Sequence, residues 1–248
     1  MNPASRRQPR ILGILAGMSW ESSSHLYQLL NRSVAARLGG LHSARLLMHS
    51  VDFAEVEALQ RSGDWEAAGL LLGEAAAGLK AAGAGALMIA ANTMHKVADQ
   101  VESLGGLPLI HIVDATAEAL KAAGVRRAGL LATRYTMEGE FYRGRMRDRH
   151  GIEILIPGEQ QRTEVHRVIY EELCRGQVLE RSRQFYRGAI AELAGAGAEA
   201  VILGCTELCL LLDVQRDADL LPLFDGTALH AQAAVDWLLL AYDDSQGR

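Results

Sequence analysis

Cys174, Cys205 and Cys209 are the three thiols of the chain, and Cys205 stands where chemistry is easiest to build. It lies in LGCTEL, directly after the apolar run VILG and ahead of a helical turn. The unpaired N–H groups and partial positive charge of a helix start favour a thiolate there. A thiol of reference pKa about 8.5 then ionises usefully near neutrality. The competing reading is a cysteine packed in an α/β core, a common fate for that residue. Thr206 and Glu207 follow in the first turn, a hydroxyl to hold an anion and a carboxylate to cap or orient. Cys209 and Cys174 read as packing positions on helices.

AANTMH is a second polar cluster, immediately beyond the apolar run ALMIAA. Asn92 and Thr93, beside free helical N–H groups, make a carboxylate cradle or, more simply, helix caps. His95 reads as a base, a ligand or a satisfied core histidine, with Asp99 on the same helical face. A zinc site needs further ligands that no motif supplies, so neither a metal nor a cofactor is expected. Met18 and Ser19 follow Gly17 in AGMSWES, which fits neither the dinucleotide nor the P-loop pattern. Thr133 and Thr136 occupy ATRYTM, and His49 and Asp52 occupy HSVDF, each also readable as a turn residue.

These clusters stand at the ends of short apolar runs that read as strands near 10–16, 44–50, 85–90, 107–111, 127–132, 151–156, 199–204 and 220–224. Amphipathic stretches near 21–37, 65–83, 94–103, 113–123, 137–149, 162–173, 178–194 and 227–242 read as helices. Continuous apolar strands alternating with helices indicate a mostly parallel sheet covered on both faces. Ligands bind such sheets at the carboxyl ends of the strands.

The chain also echoes itself. GALMIAANTMH at 85–95 resembles EAVILGCTELC at 199–209, which sets Ala91 opposite Cys205. RILGILAGM at 10–18 resembles RRAGLLATR at 126–134, with Gly13 opposite Gly129. The offsets of 114 and 116 residues agree closely, although buried strands also resemble one another by chance. Duplication predicts an α/β fold of two pseudo-symmetric flavodoxin-like halves, residues 1–111 (completed by 222–248) and 112–221. The final helix is expected to return to the first half, and equivalent strand ends to meet across a cleft.

Composition narrows the partners. With 248 residues, 49% of them hydrophobic, the chain can bury a substantial core, which argues against disorder. A net charge of −5 gives no basic surface for nucleic acid. The densest basic stretch, YRGRMRDRH, reads as a solvated helix with Asp148 among its arginines, or less readily as a phosphate patch. No apolar run spans a membrane, and MNPASRRQPR reads as a polar tail rather than a secretory signal. Three cysteines without metal spacing indicate reduced thiols and a cytoplasmic location.

The segments LAGMSWESSSHLY, RLGGLHSA, HSVDF, ANTMHKVAD, TRYTME, FYRGR, IYEELCRG and LGCTEL together resemble the aspartate/glutamate racemase family, in its acidic and broad-specificity branch. They run from residue 15 to residue 208, although LGCTE alone is shared with hydantoin racemases, maleate isomerases and arylmalonate decarboxylases. The resemblance implies a cofactor-independent enzyme that exchanges the α-proton of L-aspartate or L-glutamate, working as a homodimer with its site between the halves. It makes Cys205 one acid/base, and gives Asn92, Thr93, Thr133, Cys205 and Thr206 the α-carboxylate and amino groups. Met18, Ser19 and Thr136 would line the pocket.

The family carries a cysteine, or in this branch a threonine, where this chain has Ala91. Two opposed bases let a planar carbanion be protonated on either face, and alanine has no proton to give. Loss of such a group costs roughly 10²–10⁴-fold, so inversion is expected to be impaired. A one-cysteine decarboxylase or isomerase, and a catalytically silent small-molecule binder, are the alternatives.

Overall fold

In the computed structural model, which describes residues 10–246 and the side chains of residues 10–240, the first strand is β1 (Leu12–Ala16), buried throughout. The polar tail read from the sequence lies outside the described residues, apart from Arg10. β1 runs into Gly17 at φ 95°, and a Cβ there would fall 2.3 Å from the Val51 carbonyl oxygen. Only glycine lets the chain leave the sheet so close to its neighbour. Helix α1 (Trp20–Leu38) follows, then β2 (Leu46–Ser50), α2 (Phe53–Ser62), α3 (Trp65–Ala81), β3 (Ala86–Ile89) and α4 (Ala98–Gly105).

The sequence reading passed over α2. Its N-cap Asp52 accepts the Ala54 N–H at 3.0 Å, and Gly63 ends it in the left-handed conformation. Asp52 therefore has a structural task, as a turn residue would. The strands of this unit run parallel in the order β2-β1-β3, and the expected strand at 107–111 is reduced to a parallel bridge from Leu87 to Leu109.

The second unit comprises α5 (Ile112–Ala122), β4 (Arg127–Leu131), α6 (Arg134–Glu138), α7 (Glu140–His150), β5 (Glu153–Leu155), α8 (Glu159–Glu171), α9 (Glu180–Gly195), β6 (Ala200–Leu203), α10 (Leu208–Leu211), β7 (Leu223–Asp225) and the start of α11 (Gly226–Gln246). Its parallel order is β5-β4-β6-β7. Each unit is thus a parallel sheet flanked by helices, the α/β class expected. The compact division differs from the boundaries read in sequence. Residues 91–96 and 111–230 group together, and β7 hydrogen-bonds to β6, so 222–230 belong with the second sheet. From Ala231 onward α11 belongs to the first unit, where Ala231, Ala234, Val235 and Leu238 join the core.

Both echoes are reproduced in register. Gly13 pairs with Leu87 and Gly129 with Val201, which keeps both offsets at once. Gly13 makes room for Leu79 and Leu87, and Gly129 makes room for Leu193 and Val201, the same positions 114 residues on. The Leu87 N–H donates to the Pro108 carbonyl and the Val201 N–H to the Pro222 carbonyl, both at 2.9 Å. LPLIH at 107–111 and LPLFD at 221–225 are therefore a third echo, absent from the sequence reading.

Candidate active site

Beyond β3 the chain makes a 3-10 turn over Thr93–Val97 before α4 begins, so the helix expected from residue 94 starts four residues late. That turn buries Asn92 and Thr93. Thr93 Oγ1 lies 2.9 Å from Thr133 Oγ1 and 3.2 Å from Thr136 Oγ1, and the latter two are 3.2 Å apart. Thr133 also caps α6, accepting the Thr136 N–H at 3.4 Å. Three buried hydroxyls in mutual contact can each turn a proton outward toward an anion, since each is both donor and acceptor. Asn92 Oδ1 is buried and has no hydrogen-bond partner among the described residues. Buried carbonyl oxygens without a partner are rare in native proteins.

Cys205 is half-buried beyond β6, and its thiol donates to Glu207 Oε2 at 3.0 Å. The Thr206 hydroxyl donates to the same oxygen at 2.8 Å. Burial pushes the Cys205 thiol well above its ordinary range, and the Glu207 carboxylate and the Cys174 thiol add to the rise. The helix-stabilised thiolate expected from sequence is thus overturned. α10 has only four residues, and a carboxylate precedes it. The resting group is a thiol with an acceptor beside it.

The chain matches the model of the Asp/Glu/hydantoin racemase family over residues 15–234. It belongs to that family. A candidate Asp/Glu racemase from Yersinia pestis is 52% identical, with a TM-score of 0.87 over 93% of this chain and 99% of its own. An aspartate racemase homologue from Pyrococcus horikoshii OT3 is 31% identical, with a TM-score of 0.78 over 92% of this chain and 99% of its own. A glutamate racemase from Francisella tularensis, solved with D-glutamate, is 14% identical with a TM-score of 0.64 over 95% of this chain and 82% of its own. That last likeness is one of fold. Racemases are isomerases, so the family places this chain within an isomerase fold group.

In this racemase-family chain the other expected residues sit as follows. Ala91 opens the turn beyond β3, half-buried, and its carbonyl is 2.9 Å from His95 Nδ1. Met18 and Ser19 are buried in the first unit. Ser19 caps α1 by accepting the Ser22 N–H at 3.3 Å, and the Ser23 hydroxyl donates to its carbonyl while accepting the Gly17 N–H.

His95 is neither a free base nor a partner of Asp99. Both ring nitrogens are engaged, Nε2 by the Ile112 N–H at 3.2 Å. Burial, then neighbouring His111 and His230, hold its pKa well below the usual histidine range. His111 and His230 were missed in sequence; the signal was a histidine at the strand end LPLIH. Cys209, pushed up by burial and by Asp225, fits the packing role. No disulfide joins the cysteines.

His49 and Asp52 line an open groove of ≈540 Å³ in the first unit, with Glu55, Leu71 and Glu74. Apart from His49 and Asp52, the groove is lined by none of the candidate residues read from the sequence. Two of the four arginines of YRGRMRDRH are paired locally: Arg145 forms a bidentate pair with Asp114 at 2.6 Å, and Arg147 pairs with Asp148 at 2.8 Å. Those two pairs favour the solvated helix face over the phosphate patch. Among the described residues no helix is long and apolar enough to cross a membrane, and no cluster of three or more His, Cys, Asp or Glu could hold a metal ion.

Proposed function

We propose that this chain binds L-aspartate or L-glutamate and exchanges the α-proton without a cofactor, with Cys205 as the acid/base on one face of the α-carbon. The observation that carries the reading is the Cys205–Glu207 hydrogen bond of 3.0 Å beside the Thr206 hydroxyl. Transfer of the Sγ proton to Oε2 gives a thiolate and a carboxylic acid. The thiolate then takes the α-proton, and the C–H electron pair moves into an enediolate on the substrate carboxylate. A thiol held protonated at rest is equally fit for the reverse step, giving its proton to the α-carbon.

Charge grows on the carboxylate oxygens during that step, so donors aimed there lower the barrier. Thr93, Thr133 and Thr136, with Asn92 and Thr206, are assigned to hold the carboxylate and amino groups. Met18 and Ser19 are assigned to the pocket lining by resemblance alone. Residue 91 takes the opposite face in the same reading, and Ala91 supplies no proton there. A proton returned by Cys205 to the face it left regenerates the starting enantiomer, so inversion is slow while exchange persists. The reading also takes the working form as a cytoplasmic homodimer, on family resemblance.

Incubation with L-glutamate or L-aspartate in deuterium oxide tests this, with α-proton loss followed by NMR and enantiomers by chiral chromatography. The expected result is proton washout with little inversion, and inversion restored by Ala91→Cys. Binding without washout would make the chain a silent binder; neither binding nor washout would end the reading.

A further inference from the structure

The buried histidines His95, His111 and His230 take no part in those proton transfers, yet their geometry is closely fixed. A backbone N–H can only donate, so the Ile112 N–H makes His95 Nε2 an acceptor. The ring proton then sits on Nδ1 and donates to the Ala91 carbonyl at 2.9 Å. One imidazole thereby ties the first residue of the turn beyond β3 to the first residue of α5. His111 packs edge-on to it with ring centroids 4.6 Å apart, and His230 does so at 5.6 Å.

The turn beyond β6 repeats the arrangement with other side chains. Cys209 is 114 residues beyond His95, and Asp225 is 114 beyond His111. Cys209 lies beside Asp225, as His95 lies beside His111. Asp225 accepts the Thr227 N–H at 2.8 Å, just as His111 accepts the Val113 N–H at 3.2 Å. Each strand-end turn is therefore braced against the capping residue of the helix that follows the next strand position.

We infer that His95 is a positioning residue: as a fixed neutral Nδ1–H ring it holds the residue-91 carbonyl against the start of α5 and so sets the direction of residue 91, Asn92 and Thr93. The clamp itself stands on geometry; its consequence for an amino-acid ligand rests on the proposed function. Protonation would remove the acceptor for Ile112 and set a cation beside His111 at the N-cap of α5, His230 of α11 and Arg145 of α7, whose charge also opposes it.

Nitrogen NMR of the full chain labelled in its histidines tests the tautomer. His95 should show a protonated Nδ1 and a bare Nε2, unchanged from about pH 8 to about pH 5. Amide exchange tests the clamp: His95→Phe should accelerate exchange at Ile112 roughly tenfold, with β6 amides changed less than about twofold. In the same variant the Kd for L-aspartate should rise roughly tenfold, and His95→Asn, whose amide can still donate to the residue-91 carbonyl, should recover part of the loss. A ring that titrates near pH 6.5, an Nε2–H tautomer, or exchange accelerated evenly across the second unit would overturn the inference. If the unaltered chain binds neither L-aspartate nor L-glutamate, the proposed function fails, and the nitrogen spectra and Ile112 exchange still decide the clamp.

Discussion

In the turn beyond β3 the residues from 91 to 95 are Ala, Asn, Thr, Met and His; in the turn beyond β6, 114 residues on, they are Cys, Thr, Glu, Leu and Cys. The backbone frame around them is shared. The Ala90 N–H donates to the Leu15 carbonyl and the Gly204 N–H to the Leu131 carbonyl, both at 2.8 Å. What differs is where protons can go. The second turn has a thiol, a hydroxyl and a carboxylate in one hydrogen-bonded group. The first has hydroxyl and amide groups but nothing at residue 91 that exchanges a proton. The shared backbone frame thus fixes positions, and the side chains placed there decide which turn has groups that can exchange a proton.

The largest effect should come from making the two turns alike. If the proposed two-base reaction holds, Ala91→Cys should raise the rate of inversion by roughly 10²–10⁴-fold, because it supplies the acid/base that reading assigns to residue 91. Cys205→Ala should remove α-proton washout by a similar factor and leave the melting temperature nearly unchanged. Chiral chromatography and proton NMR on the same samples read both. Inversion by the unaltered chain as fast as by Ala91→Cys would break the comparison, because water or a neighbour would then be supplying the second proton.

Acid should separate the two units next. His95 and His111 in the second unit are held neutral, with His111 lowered to about 3 by burial and then by Arg145. Histidines of depressed pKa favour the folded state above their unfolded pKa of about 6.5, and that contribution is lost as pH falls toward the folded value. His25, His42 and His49 of the first unit are exposed. Hydrogen exchange between about pH 7 and about pH 4 should therefore rise in α5 and the start of α11 before it rises in β1 and β3. His111→Asn should flatten that dependence. Equal acid sensitivity in both units would contradict it.

A smaller effect tests whether the repeats pack alike. A methyl at Gly13 would lie 3.0 Å from Ala84 Cβ, and one at Gly129 would lie 2.8 Å from Leu193 Cδ1. Gly13→Ala and Gly129→Ala should each cost roughly 1–3 kcal/mol by overpacking, measured by denaturant titration. A loss at only one of them would mean that the shared register does not carry shared packing.

How much of this was legible in sequence depends on the kind of signal. β1, β3, β4 and β6 are short unbroken apolar runs, and the glycines and alanines within them aligned the repeats. α2 was hidden because FAEVEALQRS is short and its start lies in Asp52, which also looks like a site residue. β7 was seen as a strand but placed by a boundary drawn at a helix, whereas its ladder to β6 decides the matter. At the site, residue types pointed to Cys205 and the threonines. The protonation state did not follow from types: a helix start argues for thiolate, whereas burial, then the Glu207 carboxylate beside it, pushes the Cys205 thiol up. His95 could not be read as a clamp, because its partners are a backbone N–H seventeen residues on and a carbonyl four residues back.

The finest distinction between the turns lies one residue further along, where Asn92 faces Thr206 in the repeat. Thr206 spends its hydroxyl on Glu207. Asn92 Oδ1 is buried with no partner among the described residues, a state that costs stability unless something else needs the amide. Asn92→Ala removes the unpaired oxygen along with some packing, and the two changes nearly cancel. Stability should shift by less than about 1 kcal/mol, with a rise more expected than a fall. Under the proposed function, binding of L-aspartate by the same variant should weaken roughly tenfold, because that reading gives Asn92 a hydrogen bond to the amino acid. Calorimetric binding and thermal melts on one preparation separate the two. A loss of stability beyond about 2 kcal/mol with binding intact would assign Asn92 to holding the turn together and leave the ligand to the hydroxyls alone.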